Sequence, residues 1–391
     1  MREQILGSGI TPTALRLAWP MMLSSVFQTV YNLTDALWLG RVGPEAIAAP
    51  SISWPIIFLF ISLSAGLGMG GTTLVAQYTG AGDRVQSNRV AGQLVLILLT
   101  TSTVLAGMGF VFVDSVLQLM NIPDSVFTVT ANYMRITFLG LPFMLMHFGF
   151  QSLLRGYGDT RTPMILSVVS AVSDMVLDPF FVFGWLGLPA LGAEGAALTT
   201  VLTRGAAGII GLYLLVSGRV GIKVTSHHLR PDLPLIKRIL KIGVPSALGQ
   251  STTALGFTVL TSLVAIEDGV LGGKGLLLSA YGIGNRVSSI VNMIIFSGSS
   301  ALATMVGQNL GANQLDRAWA IVKQLFLAFI GIAVVESIIV YLLRAPIYQV
   351  FIDNATVIAL GANYMAFFVP FIPGFAVFRL ATSVFDAAGK T

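Results

Sequence analysis

The chain has 391 residues, of which 55% are hydrophobic and only 10% are charged, with a net charge of +5. A soluble domain carries about 25% charged residues, so this composition excludes an ordinary soluble protein and indicates a membrane protein with many helices. There is no cysteine and there are only three histidines, which argues against a disulfide framework and a transition-metal centre.

Long apolar segments predict ten transmembrane helices in chain order. We expect them at residues 13–39, 47–78, 88–113, 124–155, 161–185, 192–217, 234–266, 276–309, 314–343 and 354–386. The N-terminal stretch leads into an apolar segment that is too long for the core of a signal peptide. We therefore expect the first helix itself to direct membrane insertion.

Basic residues are concentrated on one side of the predicted bundle. The N-terminus and the loops after the second, fourth, sixth and eighth helices contain most of them. The opposite loops contain only Arg41, Lys274 and Arg344. The positive-inside rule therefore predicts a cytoplasmic N-terminus. We expect the protein to be embedded in the lipid bilayer of the cell membrane. We attribute the net positive charge to this topology and not to nucleic-acid binding.

The sequence also contains an internal repeat. Five matches share one offset of 231 residues: VAQYTGAG (75–82) with VGQNLGAN (306–313), ANYM (131–134) with ANYM (362–365), Pro142 with Pro373, Gly158 with Gly389, and Thr160 with Thr391. Pro20 pairs with Pro245 at a smaller offset, and the difference falls in the loop 267–275. Because six helices separate the copies, both have the same orientation, which is a parallel repeat about an axis along the membrane normal.

The repeat predicts an all-α polytopic fold with two pseudo-symmetric helical lobes. We expect six helices in an N-lobe at 1–220, a cytoplasmic linker at 221–233, and four helices in a C-lobe at 234–391. Thr391 corresponds to a position after which the first half continues for two more helices. The pattern therefore predicts ten helices of a twelve-helix design, and a natural ten-helix variant is the alternative.

Asp35, Asp174 and Asp178 are carboxylic acids inside the predicted spans of the first half. Asp174 and Asp178 lie about 18 and 24 Å into their helix, and Asp35 about 33 Å along the first one. Four-residue spacing places the pair on one helical face, about 6 Å apart, where two full charges repel by roughly 2.8 kcal/mol. An acid inside a membrane usually faces a cavity or a partner. The pair therefore predicts a functional site, whereas for Asp35 an interfacial position is the alternative.

Further polar side chains share helical faces with one another. Gln28 and Tyr31 are spaced to lie beside Asp35, and Tyr133 and Gln151 are five turns apart on the fourth helix. Ordinary hydrogen bonds between helices are the alternative explanation.

Two prolines inside spans, Pro20 and Pro179, each lack an N–H and free a carbonyl one turn earlier, so each is a candidate hinge or a fixed kink. Glu336 is a lone acid in the ninth helix, for which we weigh an interfacial position against a place in a second cavity.

Four motifs are specific in combination: P…Q..YN..D…LGRVGPEAIAA (20–49), VAQYTGAGD (75–83), RGYGDTRTPM (155–164) and D…DPFFVFG…G..GAALTT (174–200). Together they resemble the MATE family of multidrug and toxic compound extrusion transporters, and its prokaryotic DinF-like branch in particular. The resemblance implies two six-helix lobes around a central cleft. It also implies H⁺- or Na⁺-coupled antiport that exports small organic, often cationic, compounds, by a monomer that is not an enzyme and needs no further cofactor.

The resemblance also implies roles for residues. It assigns cation coupling to Asp35, Asp174, Asp178, Ala196 (through its backbone oxygen) and Thr200, and the substrate cavity to Gln28, Tyr31, Tyr133 and Gln151. Asp174 departs from the family pattern, in which Asn is usual, so the choice between H⁺ and Na⁺ stays open.

Two other functions compete with this one. A lipid-linked saccharide flippase of the same superfamily would line its cavity with more cations than Arg135, Arg204, Arg286 and Arg379. An intramembrane aspartyl protease also needs two acids, but its Tyr-Asp and Gly-x-Gly-Asp signatures are missing around the acids of this chain.

Overall fold

The structure is a computed structural model that describes residues 2–270 and 275–390, apart from the side chains of residues 254, 257 and 258. Its α-helices are α1 (Arg2–Gly7), α2 (Ile10–Val42), α3 (Pro44–Ala81), α4 (Arg84–Leu119), α5 (Asp124–Tyr157), α6 (Arg161–Phe183), α7 (Ala193–Ser217), α8 (Leu233–Val270), α9 (Leu276–Gly311), α10 (Leu315–Leu342), α11 (Arg344–Phe351), α12 (Ala355–Phe368) and α13 (Ile372–Ala388). Among the described residues, eight helical spans are long and apolar enough to cross a membrane, with α12 and α13 counted together.

Each of the ten predicted spans coincides with a long helix, and the last one is divided in two. A short 3₁₀ turn at Val369–Phe371 separates α12 from α13. Pro370 lies in this turn and Pro373 in the first turn of α13, where proline fits because the first N–H groups of a helix have no intrahelical partner. Residue Lys274 and the tip of the insertion at 267–275 lie outside the described residues.

The predicted repeat is confirmed by the backbone. Gly158 ends α5 and Gly389 ends α13, and both adopt a left-handed conformation, with φ of 97° and 71°. Gly82 after α3 and Asn313 after α9 are left-handed as well, with φ of 79° and 58°. Equivalent positions therefore stop equivalent helices in the same way, as a C-terminal cap requires.

The two halves of the chain meet at one end of the bundle, where α2, α4, α6, α8 and α10 begin; we call this end the basic face. Here α3 and α9 are in backbone contact at two glycines. A Cβ added to Gly80 would lie 1.9 Å from the Gln308 carbonyl oxygen, and one added to Gly311 would lie 1.8 Å from that of Gln77. These two contacts are exchanged by the repeat, so the helices cross on a pseudo-two-fold axis.

Four hydrogen bonds, which we call the seal, surround this crossing and follow the same symmetry. They are Thr73 Oγ1 to the Asp386 carbonyl (2.8 Å), Thr304 Oγ1 to the Arg155 carbonyl (3.0 Å), Gln77 Nε2 to the Ala387 carbonyl (2.8 Å) and Gln308 Nε2 to the Gly156 carbonyl (3.0 Å). Each donor of α3 has its repeat counterpart in α9. The acceptors are carbonyls in the last turns of α13 and α5, which have no i+4 N–H partner within their helix and so have accepting capacity to spare.

Away from the basic face the halves separate around a central cleft. A cavity of about 910 Å³ lies between α2 and α3 on one side and α8 and α9 on the other. Its wall contains Trp54 and Phe58 from the first half and Asn285, Asn292 and Met293 from the second. The all-α, two-lobed membrane fold predicted from the repeat is therefore confirmed.

Candidate functional site

The two acids of α6 are fully inside the first half of the chain. Asp174 is 1% exposed and Asp178 is 0% exposed. Helix α6 packs against α2 and α7, so the face that bears both acids points at these two helices and not at lipid. The predicted shared face is thus realised, and its partners come from α2 and α7.

Asp174 is held by a chain of hydroxyl groups. Thr203 Oγ1 lies 3.0 Å from its Oδ1 and shares its one proton with the Thr199 carbonyl at 2.9 Å, and Thr200 Oγ1 approaches its Oδ2 at 3.5 Å. The Tyr31 hydroxyl is 2.9 Å from Thr200 Oγ1. Tyr31 of α2 is therefore linked through Thr200 of α7 to Asp174 of α6, so a change in the charge of Asp174 alters contacts among these three helices.

A fixed cation lies beside this network. The guanidinium carbon of Arg204 is 4.9 Å from the centre of the Tyr31 ring, within the range of a cation–π contact. Arg204 and Asp174 line the same small cavity, and the charge of Arg204 acts on both Asp174 and Asp35. The site therefore contains three acids and one permanent positive charge.

Asp178 has weaker support than Asp174, because the Thr199 hydroxyl lies within reach of its carboxylate but is not in normal hydrogen-bond geometry. Neither of its carboxylate oxygens has a hydrogen-bond partner of normal geometry among the described residues. The hydroxyl of the neighbouring Thr199 is directed at the Gly195 carbonyl, at 2.9 Å. An ionised carboxylate without partners is costly inside a membrane protein, so this position is suited to hold a proton or to meet a cation.

Asp35 lies half-buried on α2, close enough to Asp174 for their charges to interact. Its Oδ1 is buried without a hydrogen-bond partner among the described residues. Even so, no group of three or more acidic or histidine side chains in the described part of the chain converges as metal ligands do. A cation at this site would therefore use one or two of the acids together with hydroxyl or carbonyl oxygens.

Three of the four residues predicted for the substrate cavity lie together. Gln28, Tyr31 and Gln151 line a cavity of about 80 Å³ with Asp174 and Arg204. Tyr133 lies one layer away, against an apolar cluster that contains Ala196. The structure therefore does not place Tyr133 in this cavity wall.

The candidate hinges lie within continuous helices in this conformation. Pro20 is inside α2, and its carbonyl accepts a side-chain hydrogen bond from Ser24 Oγ at 3.0 Å. Pro179 is inside α6, directly after Asp178. Glu336 is half-buried on α10, and its Oε2 has no hydrogen-bond partner among the described residues.

Sequence reasoning missed three contributors. Thr203 is the best-placed hydroxyl for Asp174, and its spacing of three from Thr200 was a usable signal, since such residues share a face. Arg204 was noted as an embedded cation without a role. Arg155 was predicted to end the fourth span and was given no role, but it lies in the last turn of α5 and lines a cavity between the halves.

Comparison with known proteins gives the family. The MatE family profile matches residues 20–180 and 245–391, and its two matches begin at the repeated prolines. The protein named "Probable multidrug resistance protein YoeA" of Bacillus subtilis is 32% identical over 86% of this chain and 72% of its own length. The FAD transporter of Shewanella oneidensis is 24% identical over 95% of this chain and 80% of its own length.

Solved structures agree on the fold. A multidrug resistance transporter of the MATE family in an outward-facing conformation superposes with a TM-score of 0.88 at 23% identity, covering 99% of this chain and 84% of the other. Relatives of this kind are membrane transporters and not enzymes. Taken with the twice-matched profile and the two-lobed fold, these similarities show that the chain belongs to the MatE family of membrane transporters.

Proposed function

We propose that this transporter is a cation-coupled antiporter that exports small organic, often cationic, compounds across the cell membrane in exchange for H⁺ or Na⁺. The observation that carries the proposal is Asp178, a fully buried acid that makes no hydrogen bond of normal geometry among the described residues, next to Asp174, which Thr203 contacts at 3.0 Å. The names of the relatives support drug extrusion. They leave the coupling ion open.

Charge repulsion among the three acids of the site drives the proposed coupling cycle. With Asp35, Asp174 and Asp178 all ionised, the single positive charge of Arg204 leaves two negative charges uncompensated in a region that water reaches poorly. Uptake of H⁺ at Asp178, or of Na⁺ at Asp178 with the Thr200 hydroxyl and the Ala196 carbonyl, relieves this repulsion. Since Thr200 also contacts Tyr31 on α2 (2.9 Å), loading and unloading would alter how α2 packs on α6 and α7.

We further propose that α2 and α6 bend at Pro20 and Pro179 when the site changes charge, because each proline lacks one hydrogen bond of its helix. The N-terminus and the basic face lie in the cytoplasm in this proposal, as their excess of Lys and Arg supports. All coupling residues come from one chain, so a monomer is sufficient.

Transport by the purified protein in liposomes tests the proposal. Efflux of a fluorescent cationic dye is measured under an imposed pH gradient and, separately, under a Na⁺ gradient. Asp178→Asn should abolish gradient-driven efflux in a folded protein, whereas Asp174→Asn should reduce it less, because an amide can still accept the bond from Thr203 (3.0 Å).

Asp114→Asn is the matched control, since this acid pairs with Arg135 outside the site and its loss should leave coupling intact. The gradient that drives wild-type efflux identifies the ion. Undiminished coupled efflux by Asp178→Asn would refute the assignment of this residue.

A further inference from the structure

A second cavity lies between the two halves just above the seal, and it adjoins the acid-site cavity at Phe148 and Gln151. Its volume is about 310 Å³, and it shares Ser25 and Phe296 with the wall of the central cleft, so the two spaces adjoin. About half of its lining residues carry hydroxyl or amide side chains. The charged residues in that lining are Arg155, Arg379 and Asp386, two cations and one acid.

The two guanidinium groups have more donors than partners. Arg155 donates from Nη2 to Ser152 Oγ at 3.3 Å. Arg379 lies with its guanidinium carbon 4.2 Å from the centre of the Phe296 ring, and its Nε is buried without a partner among the described residues. The only ion pairs within the described part of the chain involve other residues.

The nearby acid does not satisfy these cations. Asp386 accepts a hydrogen bond from Ser246 Oγ at 2.9 Å and interacts with Arg379 only at longer range. Each guanidinium has five N–H donors that suit the oxygens of a carboxylate or phosphate. A buried excess of one positive charge with unused donors is costly, and an oxyanion between Arg155 and Arg379 would remove that cost.

The adjoining cleft suggests the rest of the ligand. Trp54, Phe58 and Phe296 offer aromatic surface, and Asn285 and Asn292 offer hydrogen bonds at the edge. Such a wall suits a planar, largely apolar body. A ligand with an anionic group between Arg155 and Arg379 and a flat ring system in the adjoining central cleft would occupy both cavities.

We propose that this cavity is the binding site for the acidic group of organic anions, a carboxylate or phosphate on a planar body, as a second class of transported substrate. This inference rests on the proposed export function and extends it beyond cations. The site is built from α5 of the first half and α13 of the second, so a bound anion favours the conformation in which the basic face is closed.

Direct binding tests this assignment without any gradient. Isothermal titration calorimetry of the full chain in phosphatidylcholine nanodiscs compares naphthyl phosphate, naphthol and inorganic phosphate. Naphthyl phosphate should bind most tightly. Arg379→Gln should weaken its binding at least tenfold, the size expected for one charge-assisted hydrogen bond, and Arg379→Lys should weaken it less, while naphthol binding stays unchanged.

Control variants make the outcomes decisive. Arg286→Gln removes an exposed arginine of α9 and should change nothing. Arg155→Gln should act as Arg379→Gln does, and the Arg379 variants keep the test valid if Arg155→Gln fails to fold. Equal affinities for naphthyl phosphate and naphthol, or full affinity in Arg379→Gln, would overturn the proposal.

Two further outcomes concern the source of the anion. Inorganic phosphate binding as tightly as naphthyl phosphate would exclude a role for the planar body. Loss of binding in phosphatidylglycerol nanodiscs alone would assign the cavity to a lipid headgroup and overturn the substrate assignment. Because no gradient is applied, a failure here is separable from a failure of coupled export.

Discussion

A single methyl group at the helix crossing should open the basic face. In Gly80→Ala the new Cβ would lie 1.9 Å from the Gln308 carbonyl oxygen, whereas real Cβ atoms essentially never come closer than 3.0 Å to another atom. Helices α3 and α9 must therefore move apart by about 1 Å. The four hydrogen bonds of the seal, at 2.8 to 3.0 Å, would then be too long to persist.

The size of the effect follows from those four bonds. Each contributes about 0.5 to 1.5 kcal/mol net, so their loss disfavours the closed basic face by about 2 to 6 kcal/mol. Even the lower value shifts the equilibrium toward an open basic face about thirtyfold. By the pseudo-symmetry, Gly311→Ala should have the same effect, because its Cβ would lie 1.8 Å from the Gln77 carbonyl oxygen.

Distances between spin labels measure the shift. The chain has no cysteine of its own, so labels attach only at cysteines placed at the exposed residues Val85 and Leu315, one in each half at the basic face. Gly80→Ala should move the distance distribution to longer values. Gly331→Ala is the control, since nothing lies within 4 Å of its added Cβ. An unchanged distribution in both Gly80→Ala and Gly311→Ala would refute the reasoning.

Three other changes have defined outcomes. A single cysteine at Ser226 should be protected from an impermeant thiol reagent in intact cells, and one at Gly269 should react; the reverse pattern would invert the proposed topology. Gln93→Leu removes side-chain bonds of 2.7 to 2.9 Å that hold the segment between α7 and α8 against α4, so trypsin should cut after Lys223, in the same segment, several times faster than in the wild type. Tyr348→Phe removes a buried hydroxyl that donates to the Ala280 carbonyl at 2.7 Å and should cost about 1 to 3 kcal/mol, seen as a lower melting temperature in detergent with little change in substrate binding.

Helix positions and the repeat could be predicted because they depend on local properties of the sequence. Apolar length sets a membrane span, and a fixed offset between matching motifs reveals a parallel repeat. The burial of Asp174 and Asp178 also followed, since four-residue spacing places both on one face. Their different surroundings did not follow. Spacing along α6 says nothing about which side chains of α7 face each acid. Only the structure shows that the Thr203 hydroxyl contacts Asp174, whereas the Thr199 hydroxyl is directed at the Gly195 carbonyl of its own helix.

The contacts between the halves could not be predicted either, because spacing within one helix does not show which residues of another helix it meets. The matching glutamines of VAQYTGAG and VGQNLGAN marked the repeat, but only the fold shows that Gln77 and Gln308 donate to each other's half. The role of Arg155 could not be predicted, because a basic residue near a span end is normally explained by the positive-inside rule alone. Its position inside the last turn of α5 depends on where Gly158 stops the helix.

The seal also determines which sequence differences the two halves of the repeat can tolerate. Its acceptors at Arg155 and Asp386 are main-chain carbonyls, 3.0 and 2.8 Å from their threonine donors, so closure is insensitive to the side chains at these two equivalent positions. A duplicated chain can keep its locking geometry while those side chains take opposite charges. The main chain of both halves therefore maintains the closed basic face, while the side chains of each half can change to bind different parts of a substrate. A pseudo-symmetric transporter can in this way bind a substrate that has no symmetry.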